Sequence, residues 1–251
     1  MKRILITGAN SYIGTSFEKY VSQYPDRYQV ETIDMIGDSW RSLSFSGYDV
    51  VFHVAGIAHS DSGRISEQQA ALYYQVNTDL TIETAKKAKA EGVHQFIFMS
   101  SIIVYGDSAP IGKRKVITKE TVPAPAHAYG NSKLRAEKGL EQLKDDSFIV
   151  AILRPPMIYG KGCKGNYQLL ARCARTLPVF PDISNQRSIL YIENLCEIVR
   201  FIIDNGEEGV YHPQNKEQVS TTEIVCEIAR VHGKRTLLIK GFSWLLHLMS
   251  P

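Results

Sequence analysis

Tyr129 and Lys133 lie four residues apart in a run, His127 to Leu143, whose composition and pattern read as a helix, and helical positions i and i+4 share one face. A free phenol titrates near ~10, so it exchanges protons poorly at neutral pH unless a nearby cation favours its ionised form. An ammonium one helical turn away is such a cation. The pair could move a proton on or off an alcohol or sugar oxygen while a bound cofactor moves the hydride. With 13 tyrosines in 251 residues, one such pair is expected by chance and would be solvated surface. Its weight depends on the elements that position it.

Those elements alternate. Lys2 to Thr7 is a continuously apolar strand, followed by the turn Gly8-Ala-Asn-Ser-Tyr-Ile-Gly14 and an amphipathic helix to about Tyr24. Strand, glycine turn and helix form a pyrophosphate seat. Gly8 permits the tight turn and Gly14 the close helix–strand packing, while Asn10, Ser11, Tyr12 and Ile13 stand at the positive end of the helix dipole. A second strand, Tyr28 to Ile33, ends at Asp34, about 20 residues past Gly14, where dinucleotide sites place an acid on the adenosine ribose. A carboxylate there repels a 2′-phosphate and favours NAD over NADP. An Asp capping the next loop would look the same.

Asp49 to His53 reads as a third strand, with small residues including Ala55 behind it where a cofactor could lie against backbone; His53 and His59 read as structural. A long helix is expected over Glu67 to Glu91, with Leu80, Ile82 and Ala85 on its inner side. Gln95 to Met99 is a fourth strand ending at Ser100-Ser101, and Ser147 to Leu153 a fifth ending in Arg154-Pro-Pro156. Strands separated by helices give an α/β class with a parallel, Rossmann-type doubly wound sheet. The turn-rich stretch Gly106 to Ala126 is long enough for one wall of a site.

The expected division is a nucleotide-binding domain, 1–155, joined by a return helix, 192–205. A small C-terminal substrate-binding portion comprises 156–191 and 206–251. Within it, the Gly160 to Asn166 turn opens a helix that could seat a phosphate or serve only as a helix entry. Phe242 to Met249 is apolar enough to need a partner, and the chain stops just after it, so this portion is either reduced or cut short.

Composition excludes several classes. The 29 basic and 26 acidic residues give +3 with no extended basic patch, which argues against nucleic acid. No run approaches the ~20 apolar residues of a membrane span, and no secretory leader opens the chain, so the expectation is a cytoplasmic protein. Cys163, Cys173, Cys196 and Cys226 are too scattered for a metal site or a disulfide framework.

Taken together, Thr7-Gly8-x5-Gly14, Asp34, His53-Val-Ala-Gly56, Ser100 to Gly106, Tyr129-x-x-x-Lys133, Arg154 to Gly160 and Arg187 to Ile192 resemble the extended short-chain dehydrogenase/reductases. Within these the chain is similar to the NAD-dependent sugar-nucleotide epimerase/dehydratase family. The resemblance implies Tyr129 as acid/base, Lys133 as the group that lowers its pKa and holds the nicotinamide ribose, and Ser101 as the group orienting the substrate oxygen. Gly8, Asn10, Ser11, Tyr12, Ile13, Gly14, Asp34, Ala55 and Pro155 would carry NAD, and Asn166 and Arg187 would contact the nucleotide diphosphate. It also implies a nucleotide-sugar substrate and a possible homodimer through the two long helices.

The family's middle glycine is Ser11 here, so the pyrophosphate would sit farther out or gain a hydroxyl contact. Family dehydratases carry an Asp-Glu pair directly after the serine or threonine; Ile102 and Ile103 cannot transfer protons, which sets dehydration aside. The expected activity is epimerisation at C4 of a UDP-linked hexose. Net reduction of a 4-keto-6-deoxy sugar nucleotide is the alternative, and a non-catalytic dinucleotide sensor stands as a reading from another class.

Overall fold

The computed structural model describes residues 1–57, 65–109 and 113–240. Six strands form the central sheet: β1 (Lys2–Thr7), β2 (Tyr28–Ile33), β3 (Val50–His53), β4 (Gln95–Met99), β5 (Ile149–Leu153) and, further along the chain, β9 (Gly209–Tyr211). Every pairing is parallel, in the order β2-β1-β3-β4-β5-β9. The chain therefore reverses its direction of winding between β1 and β3, and a crevice opens above their carboxyl ends.

Alternate side chains of the strands feed two cores, which explains the continuously apolar runs. Ile4, Ile6, Phe52, Ile97 and Leu153 pack on α1 (Tyr12–Val21) and α6 (Ile192–Asn205), while Leu5, Val51, Phe96, Phe98 and Ile152 pack on α3 (Leu80–Ala90) and α4 (Ala128–Glu141). A third, smaller core gathers Ala174 of α5 (Asn166–Thr176), Phe180 of β7 (Val179–Pro181), and Val225 and Ala229 of α7 (Thr221–Val231). Ser220 caps α7 in a reciprocal pair with Glu223. Strand β7 pairs with β10 (Leu237–Ile239), and β6 (Met157–Tyr159) with β8 (Ile189–Tyr191), both in parallel. His59 and Phe242 to Met249 lie outside the described residues. No helix among the described residues is long and apolar enough to cross a membrane.

The expected single helix from Glu67 to Glu91 differs. It runs as α2 (Glu67–Tyr73), a π-helical segment Tyr74–Asp79, then α3. The wider turn shifts the register, so Thr81, Thr84, Ala85 and Ala88 are buried, whereas Leu80 is half-buried and Ile82 instead packs over Gly139 of α4. The same turn carries Asn77 fully into the interior.

His53 is structural. Thr81 Oγ1 donates to the Asn77 carbonyl (2.9 Å), so it accepts from His53 Nε2 (3.1 Å), and His53 Nδ1 accepts from Thr7 Oγ1 (2.7 Å). Burial, with the Lys133 charge adding to it, lowers its pKa from 6.5 to about 3. The unfolded chain then binds a proton on His53 between these values that the folded chain does not, so stability falls as pH drops from 6.5 towards 3. Urea midpoints measured across that window should fall less steeply for His53→Gln than for the parent. Equal slopes would contradict this assignment.

Candidate active site

At the carboxyl end of β1, Gly8 has φ 119°, and a Cβ there would lie 2.7 Å from the Ala55 nitrogen. Only glycine allows the two loops to touch. Asn10 takes up a left-handed conformation (φ 60°), and Ser11 caps α1 by accepting the Gly14 N–H on Oγ (3.1 Å). The Ser11 hydroxyl is thus committed to its own helix, and the first-turn N–H groups of Tyr12 and Ile13 point out of the helix end. The Tyr12 side chain turns away towards Gly160, where burial raises its phenol to about 12; Ile13 packs against the core. Asp34 is exposed at the end of β2, with Oδ1 accepting from the Ile36 nitrogen (3.0 Å). It caps the following turn while keeping its second oxygen available.

The facing side of the crevice is built by β4 and α4. Lys133 is buried, donates from Nζ to the Met99 carbonyl (2.8 Å), and lies 4.7 Å above the centre of the Phe98 ring. Burial pulls its pKa down to about 8 against the opposing pull of Glu137. Tyr129 stands one turn earlier on the same face, half-buried, with its ring 5.7 Å from that of Tyr73. Burial raises its pKa, and a hydrogen bond with Ser101 lowers it. Where the spacing led us to expect the ammonium to depress the phenol, burial dominates the phenol and the ammonium is held by Met99. Ser101 itself precedes a short 3-10 helix, Ile102–Tyr105, and its Oγ accepts from the Ile103 nitrogen (3.3 Å).

Asn77 gave no signal in the sequence, because only the π-helical turn aims it inward. Its Oδ1 accepts from the Ile57 nitrogen (2.8 Å), and its Nδ2 donates to the Ile57 carbonyl and the Ser132 hydroxyl (both 3.1 Å). It thereby staples the loop after β3 to α4. A Cβ on Gly56 would lie 2.9 Å from Asn77 Oδ1 and 3.2 Å from Lys133 Nζ, so this loop passes directly over the lysine.

The structure thus gathers Gly8, Ser11, Gly14 and Ala55 on one side of the crevice and Ser101, Tyr129 and Lys133 on the other. Pro155, buried after β5, accepts the Ile102 N–H (3.0 Å). Asn166 is exposed at the first turn of α5, and Arg187 leads into β8 through a backbone bridge to Val219. Among the described residues neither is hydrogen-bonded to the Tyr129 face, and no carboxylate pairs with Arg187, whose pKa is lowered by burial.

A glycine-turned helix end facing a Tyr–Lys–Ser wall suits a dinucleotide and an alcohol or ketone carbon. Residues 4–214 match the model of the NAD dependent epimerase/dehydratase family. The chain belongs to this family. It is 35% identical over 270 residues to a UDP-glucose 4-epimerase of Vibrio cholerae, covering 99% of this chain and 81% of that one. A UDP-glucuronic acid 4-epimerase from Bacillus cereus in complex with NAD superposes with a TM-score of 0.77 at 21% identity, covering 95% of this chain and 87% of that one. A dTDP-4-dehydrorhamnose reductase from Clostridium acetobutylicum gives a TM-score of 0.76 at 22% identity, covering 95% and 83%. The protein is therefore an NAD-dependent enzyme of the epimerase/dehydratase family.

Proposed function

We propose that this enzyme epimerises C4 of a nucleotide-linked hexose, with a uridine diphosphate as its carrier. The observation that supports this reading is the convergence of Ser101, Tyr129 and Lys133 at the end of β4, with Ile102 and Ile103 leaving no acid–base pair for dehydration. Gly8 and the Tyr12 and Ile13 N–H groups would hold the pyrophosphate of NAD, the second Asp34 oxygen its adenosine ribose, and Lys133 the nicotinamide ribose. Ala55 and Pro155 would line its path. The nicotinamide supplies the hydride acceptor and donor.

In this reading Tyr129 takes the proton of the C4 hydroxyl and returns it to the same oxygen after the keto sugar has turned its other face to the nicotinamide. Burial of the phenol favours its neutral, proton-donating form and the hydrogen bond with Ser101 favours the phenolate; the Lys133 ammonium, held by Met99, would act on it across one helical turn. Arg187, a guanidinium without a carboxylate partner among the described residues, and Asn166 would receive the diphosphate in the portion built from 156–191 and 206–240. We also propose a cytoplasmic location, as expected from the sequence pattern, and a homodimer through α2, α3 and α4, as the resemblance implies.

Reduction of a keto sugar is the second reading. A pyrophosphate set farther out by Ser11 would favour a cofactor that leaves on each turnover, whereas the Ser11 hydroxyl is engaged in capping α1. To decide, the protein is purified without added dinucleotide, denatured, and the released cofactor identified; native protein is then given a nucleotide hexose with no external NAD. Conversion supports epimerisation. An empty protein that consumes NADH in proportion to a 4-keto sugar makes it a reductase.

Asp34 sets the cofactor in this account. Asp34→Ala should weaken NAD and relatively improve NADP by removing repulsion of the 2′-phosphate, read as the ratio of the two dissociation constants. A parent enzyme that prefers NADP would refute the role given to Asp34.

A further inference from the structure

Three consecutive residues at the end of β4 are tied to three successive turns of α4. The Met99 carbonyl accepts from Lys133 Nζ, the Ser100 hydroxyl donates to Glu137 Oε1, and Ser101 is hydrogen-bonded to Tyr129. Glu137 is 4% exposed and Arg154, at the end of β5, 9%. Arg154 grips this carboxylate with Nε on Oε1 (3.1 Å) and Nη2 on Oε2 (2.6 Å). Its Nη1 donates to the Tyr105 oxygen (2.5 Å), so the Tyr105 proton goes to His212 Nε2 (2.8 Å), which must be the acceptor. The chain Ser100–Glu137–Arg154–Tyr105–His212 thus runs, fully satisfied, beneath the carboxyl ends of β4, β5 and β9.

A buried ion pair is a poor way merely to fill space, because the desolvation of both charges offsets much of their attraction, and apolar groups of the same volume often serve as well. This pair has a neighbour that uses its charge. Glu137 lies one helical turn beyond Lys133 and is the group that counters the effect of burial on the lysine. The other titratable groups facing Lys133 are Tyr129, one turn earlier on α4, and His53 on β3, which burial keeps neutral.

We propose that the buried Glu137–Arg154 pair, anchored through Tyr105 to His212, is a positioning element of the catalytic face: it registers the Ser100–Ser101 end of β4 on α4 and supplies the counter-charge for the Lys133 ammonium. The inference rests on the reading of Tyr129 and Lys133 given above. Arg154 holds both carboxylate oxygens, so Glu137 cannot swing to form a direct ion pair with Lys133. It acts on the lysine at one turn's distance and leaves the ammonium on the side of the cofactor crevice.

The test uses the full chain and separates charge from packing. Glu137→Gln alone strands the Arg154 charge and is expected to unfold readily, so the informative variant is the double change Glu137→Met with Arg154→Met. Its melting temperature should approach that of the parent. NAD affinity measured calorimetrically against pH should nevertheless lose its alkaline limb about one pH unit lower, and kcat should fall about tenfold with the sugar KM little changed. A double variant with the parent's alkaline limb and turnover overturns the proposal. If it does not fold, Ser100→Ala removes only the tie between β4 and Glu137; a several-fold loss of kcat supports the proposal and an unchanged kcat overturns it. Tyr129→Phe run alongside tests the catalytic reading separately, because the pH dependence of NAD binding needs no turnover.

Discussion

Tyr129→Phe should bind NAD almost as well as the parent and turn over about 10²–10⁴-fold more slowly, the contribution expected of a positioned acid–base group. The ring of the variant keeps its place beside Tyr73, 5.7 Å away, and only the hydroxyl facing Ser101 is lost. A melting temperature close to the parent's would exclude a folding defect. Full activity in the variant would remove Tyr129 from the mechanism and leave the Ser101 hydroxyl without its proposed task.

Lys133→Met should damage binding and rate together. Methionine can occupy the buried channel over Phe98, but it cannot donate to the Met99 carbonyl, and an unsatisfied buried acceptor costs about 1–3 kcal/mol. It also cannot hold a ribose hydroxyl or stabilise a phenolate. The lysine's lowered pKa, about 8, adds a signature. As pH rises through that value the parent loses its ammonium, so its NAD affinity should weaken on the alkaline side. The variant should bind weakly throughout and show no such limb. An alkaline limb that persists in Lys133→Met would assign it to another group.

How far the sequence disclosed this molecule depends on what local pattern can encode. Strands β1, β3, β4 and β5 and helix α4 are readable because strands buried on both faces demand continuous apolar runs, and because Tyr129, Lys133, Glu137 and Leu140 repeat at helical spacing. That same spacing could have drawn attention to Glu137, which went unremarked. Strands β6, β7 and β10 are three residues each, too short to leave a period, and are held by neighbours distant in sequence. Asn77 was hidden by the π-helical turn, which no residue pattern in Tyr74–Asp79 announces. The electrostatics were the least legible part. Spacing placed an ammonium near a phenol, but burial and the acceptor each group would find, Met99 for one and Ser101 for the other, depend on the assembled fold.

The most direct test of the central claim follows the bound nicotinamide itself. Protein loaded with NAD is mixed rapidly with UDP-glucose or UDP-galactose, and the absorbance of reduced nicotinamide is recorded within the first turnover. The account predicts a transient reduction that decays as the C4 epimer forms, and that Tyr129→Phe abolishes. A protein that binds NAD tightly yet shows no reduction of it with any nucleotide hexose, and forms no epimer, would contradict the account.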